Sequence, residues 1–136
     1  MGSISKVVYK GALRNEARHI KSGEVILNDA PIDNNGRGEA FSPTDMVATA
    51  LATCALTVMG IRAQDEGFDL EDATAEVVKN MASDPRRIES IELRIRLKAN
   101  CSEKMQKILE GIARNCPVAK SLDPQLKQEL QFEWQS

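Results

Sequence analysis

The chain is poor in the residues that build metal centres and disulfide frameworks. Among its 136 residues there is one histidine, His19, and no Cys-x-x-Cys pair. Because zinc is usually held by clusters of cysteine and histidine, no metal site is expected. The three cysteines are an odd number, and the opening segment MGSISKVVYKG lacks an apolar signal region. These features argue against a secreted disulfide framework and favour a cytoplasmic protein.

An excess of positive charge is also missing. Lys and Arg total 18 against 20 Asp and Glu, which gives a net charge of −2. No general attraction to nucleic acid or to an anionic membrane is therefore expected. The apolar run at residues 46–61 is too short, and too rich in Thr and Ala, for a membrane span. The length and the 42% hydrophobic content fit one soluble domain covering residues 1–136.

The first 30 residues have the pattern of an antiparallel meander. Strand character extends over residues 3–13, 15–21 and 24–30, and the turn signal KSGE lies between the last two. Residues 30–41 (APIDNNGRGEAF) are predicted to be a loop, because Pro, Asp, Asn and Gly favour turns. A loop of about a dozen residues is long enough to suggest a functional role.

A long helix is predicted to begin after Ser42. Ser42 is a good N-cap, Pro43 suits the first helical position, and Asp45 can reach back to the free N–H of the cap. The helix is expected to run to about Asp65 and to stop at Gly67. It is apolar on nearly all sides, which is typical of a buried helix, and its small residues allow another helix to approach closely.

The second half of the chain combines a hairpin, two helices and a final strand. Strands are predicted at residues 70–80 and 86–99, and the second alternates apolar and charged residues, so one of its faces is expected to be wet. An amphipathic helix follows at 102–115, a short helix at 117–122 and a strand at 128–134. The order βββ-α-ββ-α-α-β indicates an α+β fold.

The cysteines differ in the chemistry that their surroundings predict. Cys116 precedes Pro117 at a helix start, where free N–H groups and the helix dipole favour a thiolate. Cys54 lies mid-helix among Ala and Leu, so the residue pattern alone makes it a small core side chain. It becomes a nucleophile only if an Arg or Lys is brought against it. Cys101, at a strand–helix junction, is expected to be a core residue.

Two segments together resemble a known family. The string FSPTDMVATALATC ends at Cys54, and the cysteine of NCPVAKSL, Cys116, follows 62 positions later (116 − 54). Together they resemble the OsmC/Ohr family of thiol-dependent peroxide reductases, and the chain looks more like the OsmC-like subgroup. The resemblance implies an OsmC-like fold, with two sheets around two central helices in an intertwined homodimer that has its active sites at the dimer interface.

The resemblance also implies a catalytic cycle. In it, Cys54 is the peroxidatic cysteine, whose thiolate attacks an organic hydroperoxide and becomes a sulfenic acid. Cys116 is the resolving cysteine, which forms a disulfide with Cys54, and a small dithiol such as lipoamide reduces that disulfide by exchange. The implied activity is that of a peroxiredoxin-like organic hydroperoxide reductase without a cofactor.

An arginine and an acid complete the site that the resemblance implies. The family uses an arginine of the N-terminal strands to stabilise the thiolate and polarise the peroxide; Arg14 is the first candidate and Arg18 the second. The family's glutamate directly follows the proline of the helix start, where this chain has Thr44. Asp45 is one position later, about 100° around the helix. Either Asp45 or Glu39, in the preceding loop, is the expected replacement.

The substrate class is predicted from the side chains expected around the thiols. The candidate pocket walls are Phe41, Met46, Leu51 and Val118, and an aliphatic wall suits an alkyl or fatty-acyl hydroperoxide better than hydrogen peroxide. Because the family glutamate is missing, an alternative is a catalytically weak dimer that binds a small apolar or lipid ligand or acts as a thiol carrier. A further alternative is a structural dimer whose cysteines only fill the core.

Overall fold

The computed structural model describes residues 2–135, which form six β-strands and three α-helices. Their order is the predicted βββ-α-ββ-α-α-β, and the α+β class with two sheets is confirmed. The strands are β1 (Ser5–Gly11), β2 (Arg14–His19), β3 (Val25–Asp29), β4 (Thr74–Ala82), β5 (Arg87–Lys98) and β6 (Lys127–Gln135). The helices are α1 (Pro43–Asp65), α2 (Glu103–Arg114) and α3 (Pro117–Ser121).

The chain divides into an N-terminal unit that ends at Val47 and a C-terminal unit that begins at Ala48. In the N-terminal unit, β1, β2 and β3 form the predicted antiparallel meander. The side chains of Val7, Tyr9 and Ile26 remain more than half exposed, although they lie within strands. Exposed apolar side chains grouped on one sheet mark a surface suited to a partner.

The loop between β3 and α1 is folded on itself. It contains a 3-10 turn at Ile32–Asn34, and the Gly36 N–H donates to the Pro31 carbonyl at 2.9 Å. Only glycine fits at this point, because a Cβ on Gly36 would overlap the carbonyl group of Ala30. The predicted loop therefore has a defined course rather than an open one.

Both ends of α1 are formed as predicted. At the start, the Ser42 hydroxyl accepts from the Asp45 N–H, and the Asp45 carboxylate accepts from the Ser42 N–H, each at 3.0 Å. At the end, Gly67 has a φ of 84°, and the Phe68 N–H donates to the Ala63 carbonyl at 3.0 Å. The first arrangement is a capping box and the second a Schellman-type stop, so both helix bounds follow from local sequence.

The core of the C-terminal unit lies between its sheet and the helices. β5 is the central strand, antiparallel to β4 and parallel to β6. Its alternation is confirmed, since its inward side chains are at most 2% exposed. The buried core residues of β5 are Ile91, Leu93, Ile95 and Leu97; those of α1 are Ala48, Leu51, Ala52, Ala55 and Met59; those of α2 are Leu109 and Ala113.

By length and composition α1 is apolar enough to cross a membrane, with a mean hydropathy of 1.6 over its most apolar window. In this fold one side of the helix instead packs into the core of the C-terminal unit. The other side leaves Thr53, Thr57 and Ile61 exposed at a spacing of four residues. Residues at this spacing share one helix face, so α1 carries an exposed stripe of small and apolar side chains.

β4 begins later than predicted. The expected strand covered residues 70–80, whereas β4 spans Thr74–Ala82. The Asp69 side chain accepts from the Glu71 N–H at 2.8 Å, and Asp72 adopts a φ of 72°, so a turn precedes the strand. Aspartate side chains that bond nearby backbone groups compete with strand pairing, which the apolar pattern does not reveal.

Candidate functional site

Cys54 and Cys116 are in contact within the C-terminal unit. Cys54 lies in the middle of α1, Cys116 is the N-cap of α3, and the two thiols lie close enough for Cys54 to raise the pKa of the Cys116 thiol. Neither is in a disulfide. Cys116 is 1% exposed, whereas Cys54 is partly exposed. Of the two thiols, Cys54 is therefore the more accessible to solvent.

Burial raises the pKa of the Cys116 thiol above its ordinary value. The Cys54 thiol also raises this pKa, while the N–H groups of Ala119 and Val118 lower it. The helix start at Cys116 was predicted correctly, and the Ala119 N–H lies 3.5 Å from its sulfur. The N–H groups of the helix start therefore favour a thiolate at Cys116, as expected, but the loss of solvation has the larger effect and the pKa is raised overall.

The third cysteine lies outside this pair. Cys101 packs against the core of the C-terminal unit, as expected, and burial raises the pKa of its thiol. Within residues 2–135, no three His, Cys, Asp or Glu side chains come together in a way that would hold a metal ion.

In the N-terminal unit, Arg14 is held by a buried carboxylate. Its Nε and Nη2 atoms donate to Oδ1 and Oδ2 of Asp29 at 2.7 and 2.8 Å. The Asp29 side chain is 0% exposed and that of Arg14 is 24% exposed. The hydrogen bond with Arg14 is the main cause that lowers the pKa of Asp29, and the same bond raises the pKa of Arg14. Each group therefore keeps the other charged.

Sequence reasoning missed Asp29 as a partner of Arg14. Its two candidate acids lie elsewhere: Asp45 caps α1, and the exposed Glu39 places Oε1 3.7 Å from Arg14 Nη2. The second candidate arginine, Arg18, is exposed in β2. The sequence does show an aspartate, Asp29, in the third predicted strand. It does not show that this residue lies opposite Arg14, because that depends on the strand register.

We expect the Arg14–Asp29 pair to contribute stability that is lost in acid. The folded pKa of Asp29 lies below 3.8. The contribution is therefore complete above that pH and disappears as the pH falls through the lower folded value. Asp29→Asn should remove this acid dependence, because it removes the titrating group, and Arg14→Met should remove it too, because Asp29 then lacks the partner that lowers its pKa. Urea midpoints measured from about pH 6 to about pH 2 check this, and an unchanged acid dependence in both variants would contradict it.

The four candidate pocket residues lie in different settings. Leu51 is fully buried in the core of the C-terminal unit, and Val118 packs against that core from α3. In the N-terminal unit, Phe41 is 57% exposed, and the Met46 sulfur accepts from Asn28 Nδ2 at 3.1 Å. Leu51 has no exposed surface for a ligand in the single chain. The role of these side chains as a substrate pocket stays a prediction.

Comparison with known proteins places this geometry in a family. A family model described as OsmC-like protein matches residues 36–131, which include both interacting cysteines. The chain belongs to the OsmC-like protein family. A solved structure from Psychrobacter arcticus 273-4, provisionally named an osmotic stress induced and detoxification response protein, is 47% identical to it with a TM-score of 0.94. The match covers 98% of this chain and 97% of that one, so the OsmC-like fold includes the N-terminal strands.

More distant structures share the same fold. One is an organic hydroperoxide resistance protein OsmC from Legionella pneumophila, which is 18% identical to this chain with a TM-score of 0.73. Another is an organic hydroperoxide resistance protein from Elizabethkingia anophelis, which is 14% identical with a TM-score of 0.70. Each match covers 98% of this chain and 97% of the other. At these identities the likeness shows the fold alone. No curated protein matches the chain.

Proposed function

We propose that this OsmC-like protein is a thiol-dependent peroxidase that reduces organic hydroperoxides. The observation that carries the proposal is the contact between a partly exposed Cys54 and a buried Cys116. A two-cysteine reductase needs such a pair, because the sulfenic acid formed on one sulfur must be reached by the second thiol. The names of two structural neighbours, both organic hydroperoxide resistance proteins, support the proposal.

The proposed cycle begins when the Cys54 thiolate attacks one oxygen of the hydroperoxide. The O–O bond breaks, the other oxygen leaves with a proton as the alcohol, and the sulfur is oxidised by two electrons to a sulfenic acid. The Cys116 thiol then attacks the Cys54 sulfur, which forms the S–S bond and releases water. A small dithiol such as lipoamide returns two electrons by exchange and leaves as a cyclic disulfide. Thiols supply all the electrons, so the cycle uses no cofactor.

Arg14 is the residue proposed to stabilise the Cys54 thiolate and to polarise the hydroperoxide. The family resemblance assigns this role to an arginine of the N-terminal strands, and the Asp29 fork keeps the Arg14 side chain charged and ordered. The proposed substrates are alkyl or fatty-acyl hydroperoxides. Exposed Phe41 and the aliphatic side chains of Met46 and Val118 favour an apolar group, because burial of apolar surface is favourable.

Mass spectrometry tests the thiol cycle directly. After one equivalent of cumene hydroperoxide, the reduced protein should lose about 2 Da, and peptide mapping should find a Cys54–Cys116 disulfide. In Cys116→Ser the sulfenic acid has no resolving partner, so Cys54 should instead gain about 16 Da and react with dimedone.

Cys101→Ser is the matched control, because Cys101 lies outside the thiol pair; it should form the same disulfide as the wild type. A folded wild-type protein that forms no Cys54–Cys116 disulfide, and turns over no hydroperoxide with dithiothreitol, would refute the peroxidase. If that protein also bound a fatty acid, the ligand-binding alternative would replace the peroxidase.

We also propose that the protein is a homodimer. Two observations support this: the apolar side chains exposed on the β1–β3 sheet, and the exposed stripe of Thr53, Thr57 and Ile61 on α1. A stripe of small and apolar side chains allows a second helix to pack closely, and the family resemblance implies paired central helices.

We further infer a single OsmC-like domain over residues 1–136 in a cytoplasmic, reducing setting.

Analytical ultracentrifugation checks the dimer. The wild type should sediment at twice the chain mass of 15.0 kDa. Ile61→Glu places a charge on the exposed stripe and should shift the protein towards the monomer, because an unpaired charge is costly to bury in an interface. Lys104→Glu, at an exposed position of α2 rather than α1, is the control and should remain dimeric. A wild-type monomer at micromolar concentration would contradict the proposal.

A further inference from the structure

Asp29 is a buried acid to which the proposed cycle gives no task. Its carboxylate accepts from Arg14 Nε at 2.7 Å, from Arg14 Nη2 at 2.8 Å and from the backbone N–H of Glu39. A charged group that is 0% exposed is costly to bury unless its oxygens are paired, and here they are. Retaining such a group suggests a purpose beyond stability.

The backbone around Asp29 fixes where its carboxylate lies. Arg14 and Asp29 are cross-strand partners in β2 and β3. The Asp29 N–H donates to the Phe41 carbonyl at 3.2 Å, and the next N–H, of Ala30, donates to the Leu13 carbonyl at 3.1 Å. Two strand ends and the end of the loop are therefore tied at this residue, so the carboxylate is a rigid anchor.

This anchor engages one particular edge of the Arg14 guanidinium. Nε and Nη2 form its side edge, and both of Asp29's oxygens bind there. The remaining donors are on the end edge, formed by Nη1 and the second N–H of Nη2. Within residues 2–135, Nη1 has no hydrogen-bond partner, and Glu39 lies beyond hydrogen-bond distance from Nη2, at 3.7 Å. The end edge of the guanidinium is thus held in place, and its N–H groups can still donate to a ligand.

We propose that Asp29 is a positioning residue, which fixes the side edge of Arg14 so that its end edge meets the negative charge developing on oxygen during hydroperoxide reduction. A fixed donor stabilises such charge better than a mobile one, because no ordering is required at the moment of reaction. The inference rests on the proposed peroxidase function. It also favours Arg14 over Arg18, because only Arg14 has an acidic cross-strand partner. The cross-strand partners of Arg18 are Lys6 and Val25.

The test separates the two halves of the cycle. With cumene hydroperoxide and dithiothreitol, Asp29→Asn should lower kcat/KM for the hydroperoxide by about tenfold to a hundredfold. It should leave kcat/KM for dithiothreitol unchanged, because reduction of the disulfide does not use Arg14. A merely structural role would lower both constants together. Glu16→Gln is the matched control, an acid on the same sheet face that pairs with Lys10 at 3.6 Å, and should match the wild type.

Two further variants keep the inference testable if Asp29→Asn does not fold. Arg14→Lys keeps the positive charge but cannot bind both carboxylate oxygens in a fork, so it should lose about as much hydroperoxide kcat/KM as Arg14→Met. Where both proteins fold, adding Asp29→Asn to Arg14→Met should cause no further loss, since Asp29 acts through Arg14.

The outcomes distinguish this inference from the proposed function. A wild type without hydroperoxide turnover overturns both. A wild type with turnover, combined with an Asp29→Asn variant that keeps its hydroperoxide kcat/KM, or loses both constants equally, overturns the positioning role alone. An Arg14→Lys variant that keeps the wild-type kcat/KM for the hydroperoxide also overturns the positioning role alone.

Discussion

Cys54→Ser is expected to lower the rate of hydroperoxide reduction by about a thousandfold or more, as removal of an essential nucleophile typically does. A serine hydroxyl is not ionised near neutral pH and does not accept the oxygen that a thiolate accepts. Serine is close to cysteine in size, and Cys54 is already partly exposed, so the fold should remain intact. Cumene hydroperoxide consumption with dithiothreitol measures the effect, and thermal unfolding confirms that the variant is folded.

Cys101→Ser is again the control for a lost thiol, because Cys101 packs against the core and burial, not another cysteine, raises the pKa of its thiol. It should keep turnover close to the wild-type rate. A folded Cys54→Ser protein with wild-type turnover would show that the thiol contact in the C-terminal unit is not the reaction centre.

Leu93→Ala is expected to lower the free energy of unfolding by about 3 kcal/mol, within the range of about 2–5 kcal/mol for buried leucines. Leu93 is 0% exposed at the centre of β5, between Val77 of β4 and Leu130 of β6. Its removal leaves a cavity that strands on both sides prevent from closing. Urea unfolding at one fixed protein concentration measures the change, because assembly also contributes to stability.

Arg94→Ala tests the neighbouring position, where the side chain is exposed on the other face of the same strand. It should change the free energy of unfolding by less than about 0.5 kcal/mol. Equal losses in Leu93→Ala and Arg94→Ala would contradict the assignment of the core to the Leu93 face.

Most of the fold follows from short-range chemistry that is visible in the sequence. Ser42 and Asp45 set the start of α1, Gly67 sets its end, and the alternation in β5 identifies the buried face. These features depend on residues within a few positions of one another, so a linear pattern contains them. β4 is the exception among the strands, because the bond from the Glu71 N–H to the Asp69 side chain delays its start.

The sequence by itself determined the element order and the helix bounds. Through two motifs 62 positions apart, it also predicted the two cysteines of the proposed cycle. The tertiary structure decided what depends on distant partners. Strand register pairs Arg14 with Asp29, an acid that no local motif indicates. Packing buries Cys116 deeply enough for desolvation to raise the pKa of its thiol against the N–H groups of its helix. Register and burial arise only when separate segments meet, and they set the charges on which the proposed chemistry depends.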